Sequence, residues 1–451
     1  MAGKRFLAAV VLLGACAHGG RGQSATDMAA LNGLAPVTVL SKTSAGEAAL
    51  GANYVVTGGI QSGAIRQPTL LPFSEQEQQA LRDVFITGGN LAQLADGLGS
   101  TLGAAYVARA HYIDRTSYTS ISPAVADLIH KAISTSARNS NSAKYFFANE
   151  TTDGTKPTSS DALGIIKTNR GASDPFGRAY GEATAKEGAN RYGDPRPFQT
   201  EPSLTRVIGP DYFNSPSDNY VYNRGPMMDL TNSPSYPSGH TTYGYTGALL
   251  LAILVPERYQ QMIARGAEYG NDRILVGAHY AMDILGGRTL ALYDMAHMLA
   301  NEPTYLFSPS SGDSFDKNFR EEIKTARAEI AQTLEAACGK PITVCATEDT
   351  GRFSNSAAND AFYASTQTYN LPEVYPKTAS HLEDVGKLAP EAGYLLTVAF
   401  PSLSLEEANR ILTETEGPGG GFLDDGSAFG VYSRLNLYAA SGRAAQAASA
   451  K

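Results

Sequence analysis

The chain has 451 residues, 43% of them hydrophobic and 18% charged, with 45 Gly, 23 Pro, three Cys and no Trp. That balance is too apolar for a disordered chain and too poor in Cys and periodic Gly for a disulfide-framed or collagenous one. A formal net charge of −8 argues against nucleic acid or an anionic membrane surface as partner, because phosphate backbones reward a basic face.

Residues 1–22 read as an export signal: Lys4 and Arg5, the apolar run Phe6 to Leu13, then the small-residue exit Leu13-Gly14-Ala15-Cys16. The run is too short to span a bilayer. Two processing routes stay open, ordinary cleavage and lipidation of Cys16 in a lipobox-like stretch. The expected location is exported: periplasmic, secreted, or held at the outer membrane by a lipid anchor. Residues 23–70 then read as an N-terminal extension, 71–305 as a helical domain and 306–451 as a C-terminal extension with no role attached.

Within the helical domain, Ser74 with Glu77 predicts a capping box ahead of Leu81, Val84 and Phe85. Residues 93–134 predict mostly helix, from apolar positions such as Leu94, Leu98, Leu102, Val107, Ile113, Val125, Ile129 and Ile133. Residues 135–177, rich in Ser, Thr, Asn, Asp and Gly, predict an irregular excursion. The longest apolar stretch, Gly247 to Val255, is far below the ~18 residues of a membrane span and reads as buried helix. Glu257 to Leu299 predicts two helices divided at Gly270-Asn271. Phe315, Phe319, Ile323, Ala326, Ile330 and Leu334 fall on one stripe of another helix, ended by Gly339 and Pro341. In an oxidising compartment Cys338 and Cys345 read as a local disulfide, with two unpaired thiols as the alternative. Beyond them come a strand-like run, Tyr394 to Phe400, a helix after Ser404, and a loop at Gly417 to Gly421. That loop has no following Lys-Ser or Lys-Thr, so it is not a nucleotide phosphate loop.

The chemistry is concentrated in three short elements: Arg196-Pro197, then Pro237-Ser238-Gly239-His240, then Arg273 with His279 and Asp283 downstream. His279 and Asp283 stand at i and i+4, which on a helix lays the carboxylate over the imidazole face. A carboxylate there fixes the ring tautomer and leaves the other nitrogen as nucleophile or base. Ser238 and Gly239 precede a helical run, so their backbone N–H groups form a helix N terminus that favours an anion. Arg196 and Arg273 are permanently charged planar donors suited to phosphate oxygens. His111, His130, His297 and His381 show no ligand spacing and read as structural or exposed, so no metal site is expected. The aromatic segment Tyr212, Phe213, Tyr220 and Tyr222 reads as packing, with a leaving-group pocket as the alternative.

The order of these motifs resembles the signature of the type 2 phosphatidic acid phosphatase superfamily, which includes bacterial nonspecific acid phosphatases and the vanadium haloperoxidases. The resemblance implies an all-α helical bundle with the motifs on facing helices. It implies that His279, oriented by Asp283, attacks the phosphorus of a small phosphomonoester, that His240 protonates the leaving alcohol and then activates water, and that Arg196, Arg273, Ser238 and Gly239 hold the phosphoryl oxygens. No cofactor is expected under that reading. Two positions depart from the family pattern. Ala189 stands where a Lys is usual, leaving Lys186 or Arg191 as the candidate extra cation, and Asp272 stands where a Ser usually precedes the second Arg. Two alternatives remain: a haloperoxidase carrying vanadate on His279, and a binding protein with a degenerate phosphate site.

Overall fold

A computed structural model describes residues 27–85, 89–149, 194, 196–201, 204–219, 233–306, 318–348 and 351–451. Helices α1 (Met28–Leu34), α2 (Ser44–Gln61), α3 (Phe73–Arg82), α4 (Ser100–Arg109) and α5 (Pro123–Asn149) lead to α6 (Gly239–Leu254), α7 (Tyr259–Leu275) and α8 (Ala281–Leu299). The C-terminal part adds α9 (Phe319–Cys338), α10 (Ser356–Thr368), α11 (Leu405–Glu414) and α12 (Leu437–Ser449), with shorter helical turns between them. Among the described residues the only sheet is a two-stranded antiparallel ribbon, β1 (Ile208–Pro210) on β2 (Pro216–Asp218), with Gly209 opposite Ser217. The fold is all-α.

Helix α6 is the axis of the assembly. Every residue of it but Tyr243 is buried, as a helix apolar on all sides requires. It packs against α5, α7 and α8, and these helices position the candidate site at its N terminus. The apolar core continues without a break from Ala30 in α1 to Ala444 in α12. The stripe Phe319, Ile323, Ala326, Ile330 and Leu334 is buried along α9; Phe315 lies outside the described residues. A Cys338–Cys345 disulfide joins the end of α9 to the following helical turn. Among the described residues no helix is long and apolar enough to cross a membrane.

Several predicted elements are corrected. The capping box at Ser74 does not form: α3 begins at Phe73 with Pro72 as its N-cap and no side-chain cap bond. The helical stretch 93–134 is broken into a 3-10 segment (Ala92–Leu98), α4, an irregular turn holding the Tyr112–Tyr118 bridge, and α5. The Ser- and Asn-rich start of the expected excursion is helix as far as Asn149. Two of its polar side chains find partners across helices: Ser136 Oγ lies 2.8 Å from Thr246 Oγ1, and Asn139 Nδ2 donates to Asp294 Oδ1 at 2.8 Å. The break expected at Gly270 falls instead at Gly277, whose φ of 67° is the left-handed turn that favours glycine. Gly270 stays in α7, where an added Cβ would come within 3.2 Å of Ile284 and Thr241 side chains. Tyr394–Thr397 is a helical turn rather than strand. The helix after Ser404 forms with the Ser404–Glu407 capping box in place.

Candidate active site

The connection between α7 and α8 carries the central histidine. After Arg273 the chain leaves α7, turns at Gly277, and folds back so that the N–H groups of Ala278 and His279 donate to the Arg273 carbonyl at 3.0 and 3.2 Å. His279 therefore lies in a turn rather than on a helix, and Asp283 lies in the first turn of α8. The expected pairing still forms: His279 Nδ1 is 3.1 Å from Asp283 Oδ2, with both side chains fully buried. Asp283 Oδ2 also accepts from the Tyr280 N–H at 2.9 Å and from the Ser235 hydroxyl. Arg196 Nη1 lies 2.8 Å from His279 Nε2 and donates to the Ala278 carbonyl at 3.0 Å. A guanidinium can only donate, so Nε2 presents its lone pair and Nδ1 carries the proton to Asp283.

Arg196 is itself locked. Its Nε donates to the Ser233 carbonyl at 2.9 Å, and its Nη2 to the Pro234 carbonyl at 3.0 Å and Ser233 Oγ at 3.2 Å. The segment before it is pinned to the same stretch, since Asp194 Oδ2 accepts from the Tyr236 N–H at 2.6 Å and the Asp194 carbonyl from the Ser235 N–H at 3.0 Å.

Facing this group is the start of α6. Ser238 is its N-cap: its Oγ accepts from the Thr241 N–H at 3.2 Å, and its own N–H donates to the Asp283 carbonyl at 3.0 Å. Gly239 opens the helix, and His240 follows with its ring centroid 6.3 Å from that of His279. Among the described residues His240 Nε2 is buried with no hydrogen-bond partner, and such an atom calls for a ligand or water. Arg273, fully buried, reaches the Asp83 carbonyl with Nη1 at 3.3 Å.

The electrostatics are those of an anion site. Burial, then the positive field of Arg273, Lys144 and Arg196, holds His240 well below its ordinary value. Burial and the fields of Arg196, Lys144, His240 and Arg273 do the same to His279, so both rings are neutral at pH 7. Burial pushes the Asp283 carboxyl up to about 7, against the Ser235 and Tyr280 hydrogen bonds that favour its ionised form.

The structure thus brings together seven residues singled out in the sequence: Arg196, Ser238, Gly239, His240, Arg273, His279 and Asp283. Lys186, Ala189, Arg191 and Cys16 lie outside the described residues, as do Tyr220 and Tyr222. Tyr212 and Phe213 pack on Phe85 and Tyr112 in a satellite aromatic cluster. Asp272 belongs to a different network: burial, then Asp83 and Glu268, raise its carboxyl well above the usual range. That network centres on buried Arg265, which holds Asp83 at 2.7 Å and Asp96 at 2.8 Å. His111 contacts Val107 and Thr119, and His297 pairs with Glu302. Two residues were missed from sequence, Ser235 and Lys144. Ser235 sits three residues before Ser238, a faint signal; Lys144 comes from α5, inside the stretch expected to be irregular.

Residues 185–300 match the PAP2 superfamily. The PAP2 segment contains all seven of the assembled residues, so the resemblance read from the motifs is borne out. The chain is similar to the acid phosphatase of Zymomonas mobilis, 31% identical over 123 residues, which is 27% of this chain and 41% of that protein. It is also 42% identical over 69 residues to the non-specific acid phosphatase of Salmonella typhimurium (15% of this chain, 28% of that protein). A third relative is the lipid A 1-phosphatase of Rhizobium johnstonii, 33% identical over 87 residues, 19% of this chain and 34% of that protein. The chain therefore spans less than half the length of each of these relatives.

Proposed function

We propose that the chain is a phosphoric monoester hydrolase that works through a phosphohistidine, with no metal ion required. The observation that carries this reading is the His279 geometry: Nδ1 bound to Asp283, Nε2 presenting a lone pair beside the Arg196 guanidinium, and His240 across the gap. In the first half-reaction the Nε2 lone pair forms the N–P bond as the P–O bond to the alcohol breaks and His240 gives that oxygen its proton. In the second, water attacks phosphorus and gives a proton to His240, the N–P bond breaks, and inorganic phosphate leaves. Arg196 exchanges its bond to Nε2 for one to a phosphoryl oxygen, and Arg273 and the α6 N terminus take up the charge that spreads in the transition state. His240 is neutral in the empty site; a bound dianion offsets the three cations that depress it and favours its protonated form.

The names of the relatives support acid phosphatase chemistry on small phosphomonoesters, and the lipid A 1-phosphatase similarity extends the substrates worth screening to lipid-linked phosphates. Export, read from residues 1–22, belongs to the same proposal, with either a cleaved signal or a lipid on Cys16. The purified chain is expected to hydrolyse p-nitrophenyl phosphate in the presence of a chelator and to be inhibited by vanadate. His279→Ala is expected to lower turnover by about 10⁴-fold or more. Activity that survives that substitution, or that requires an added divalent metal, would overturn the mechanism. Vanadate-dependent bromination with peroxide would move the assignment to the haloperoxidase reading.

A further inference from the structure

Lys144 lies on α5, outside the PAP2 segment, and is only 5% exposed. Its ammonium is set against the first residue of α6: a Cβ added to Gly239 would meet Lys144 Nζ at 3.1 Å and Ser140 Oγ at 3.0 Å. Among the described residues the one hydrogen-bond contact of Nζ is a long one, 3.5 Å to Ser233 Oγ, the hydroxyl that also receives Arg196 Nη2. Among the described residues no carboxylate forms an ion pair with it. A buried ammonium in no ion pair is costly, and two neighbouring buried atoms, Ser140 Oγ and His240 Nε2, have no hydrogen-bond partner among the described residues. All three lie around the N terminus of α6, where a ligand with several acceptor oxygens would satisfy them together.

Resting on the phosphatase reading above, the geometry points to Lys144 as a phosphate-binding residue of this site, its ammonium contacting a phosphoryl oxygen of the phosphomonoester held at Gly239. The contact adds a third cation to Arg196 and Arg273, and it differs from them in being titratable. Burial and then the Arg196 and Arg273 charges pull Lys144 down to about 7, while Asp283 and Asp194 oppose that shift; His240 and His279 complete the groups around it. The amine is therefore protonated below about pH 7 and loses its charge above it, so phosphate binding weakens on the alkaline side.

The test uses the full chain, with inorganic phosphate as the binding probe and p-nitrophenyl phosphate as substrate. Lys144→Met is expected to weaken phosphate binding by about 10- to 100-fold and to lower kcat/KM by about 10² to 10³. Lys144→Arg, which keeps its charge at all accessible pH, is expected to recover part of the loss and to reduce the weakening of phosphate binding above pH 7, leaving only the part due to ionisation of Asp283. That pH readout separates a ligand contact from a structural role and remains available if Lys144→Met fails to fold. Unchanged phosphate affinity in Lys144→Met, or the same alkaline fall in Lys144→Arg as in the wild type, overturns the proposal, as does a loss carried by Lys186→Met instead. If the wild type binds phosphate but hydrolyses no phosphomonoester, the phosphatase reading fails while the binding comparison still decides the role of Lys144.

Discussion

The hydroxyl of Ser235 donates to the same Asp283 oxygen that receives His279 Nδ1, so the tautomer of the nucleophile depends on a carboxylate that is itself held by a serine and a backbone N–H. Asp283→Asn removes the charge and offers an amide donor to Nδ1, which favours the tautomer with its proton on Nε2. The expected result is a fall in kcat of about 10³-fold or more, by analogy with other orienting carboxylates, with KM much less affected. Ser235→Ala is expected to be milder, about tenfold, and to raise the carboxyl of Asp283 further, because its ionised form loses a donor. The acid limb of kcat/KM should then move to higher pH, a shift that simple loss of packing would not produce; an unmoved limb in a folded variant would remove Ser235 from the positioning role. Ser238, Gly239 and His240, and Arg273, His279 and Asp283, were legible because each lies within a few positions of another in the chain, and Arg196 because the Arg196-Pro197 pair belongs to the motif order that carries the resemblance. Ser235 and Lys144 were not, because a lone Ser or Lys acquires its role only from what the fold sets beside it.

At the scale of elements, α8 begins where Asp283 must be held, and its first turn is anchored from a distant helix. The Ala281 N–H donates to Thr57 Oγ1 and the Met282 N–H to Asn53 Oδ1, both at 3.0 Å. These are two of the orphan donors that every helix start presents, satisfied here by side chains of α2 rather than by a local cap. Asn53→Ala and Thr57→Ala are each expected to lower stability by about 1 kcal/mol in urea unfolding, and to lower kcat because Asp283 shares the loosened turn. Unchanged unfolding midpoints would mean that water replaces both side chains without loss. The same reasoning explains which elements could be read. The α9 stripe and the Ser404 capping box are local patterns, and both stand as expected. The part of helix α5 beyond residue 134 was hidden because Ser136 and Asn139 resemble loop residues until Thr246 and Asp294, over a hundred positions away, supply their partners. Gly270 signalled a helix stop but serves a close helix contact, while the actual stop is made by Gly277.

For the whole molecule, the C-terminal region is part of the packing around the site's helices. Arg288 on α8 donates to the Ser433 carbonyl at 2.9 Å, and Arg352 pairs with Asp96 at 2.6 Å and with Glu268 on α7. The same region holds a buried acidic group, Glu383, Glu416 and Asp424 around Arg434. Burial raises Glu383 from 4.5 to about 7, Asp424 and Glu416 adding to the shift and Arg434 opposing it. Burial likewise raises Glu416 to about 7, with the Glu383 N–H and Arg434 opposing and Asp424 adding. Between about pH 4.5 and 7 the folded chain therefore binds protons at these carboxyls that the unfolded chain does not. Their contribution to stability is complete below 4.5 and is lost as pH rises through 7. His240 and His279 act in the opposite sense, since their folded values are depressed and protonation of the unfolded chain below its histidine value of about 6.5 favours unfolding. Isolating the carboxyl contribution requires a difference measurement. Glu416→Gln mimics the protonated form at every pH, so the wild type is expected to be relatively more stable against the variant at pH 5 than at pH 8, read from Tm at both values. A wild-type-minus-variant difference that stays constant, or that grows towards alkaline pH, would show that Arg434 keeps Glu416 ionised in the folded protein and that the acidic group contributes no acid-side stability.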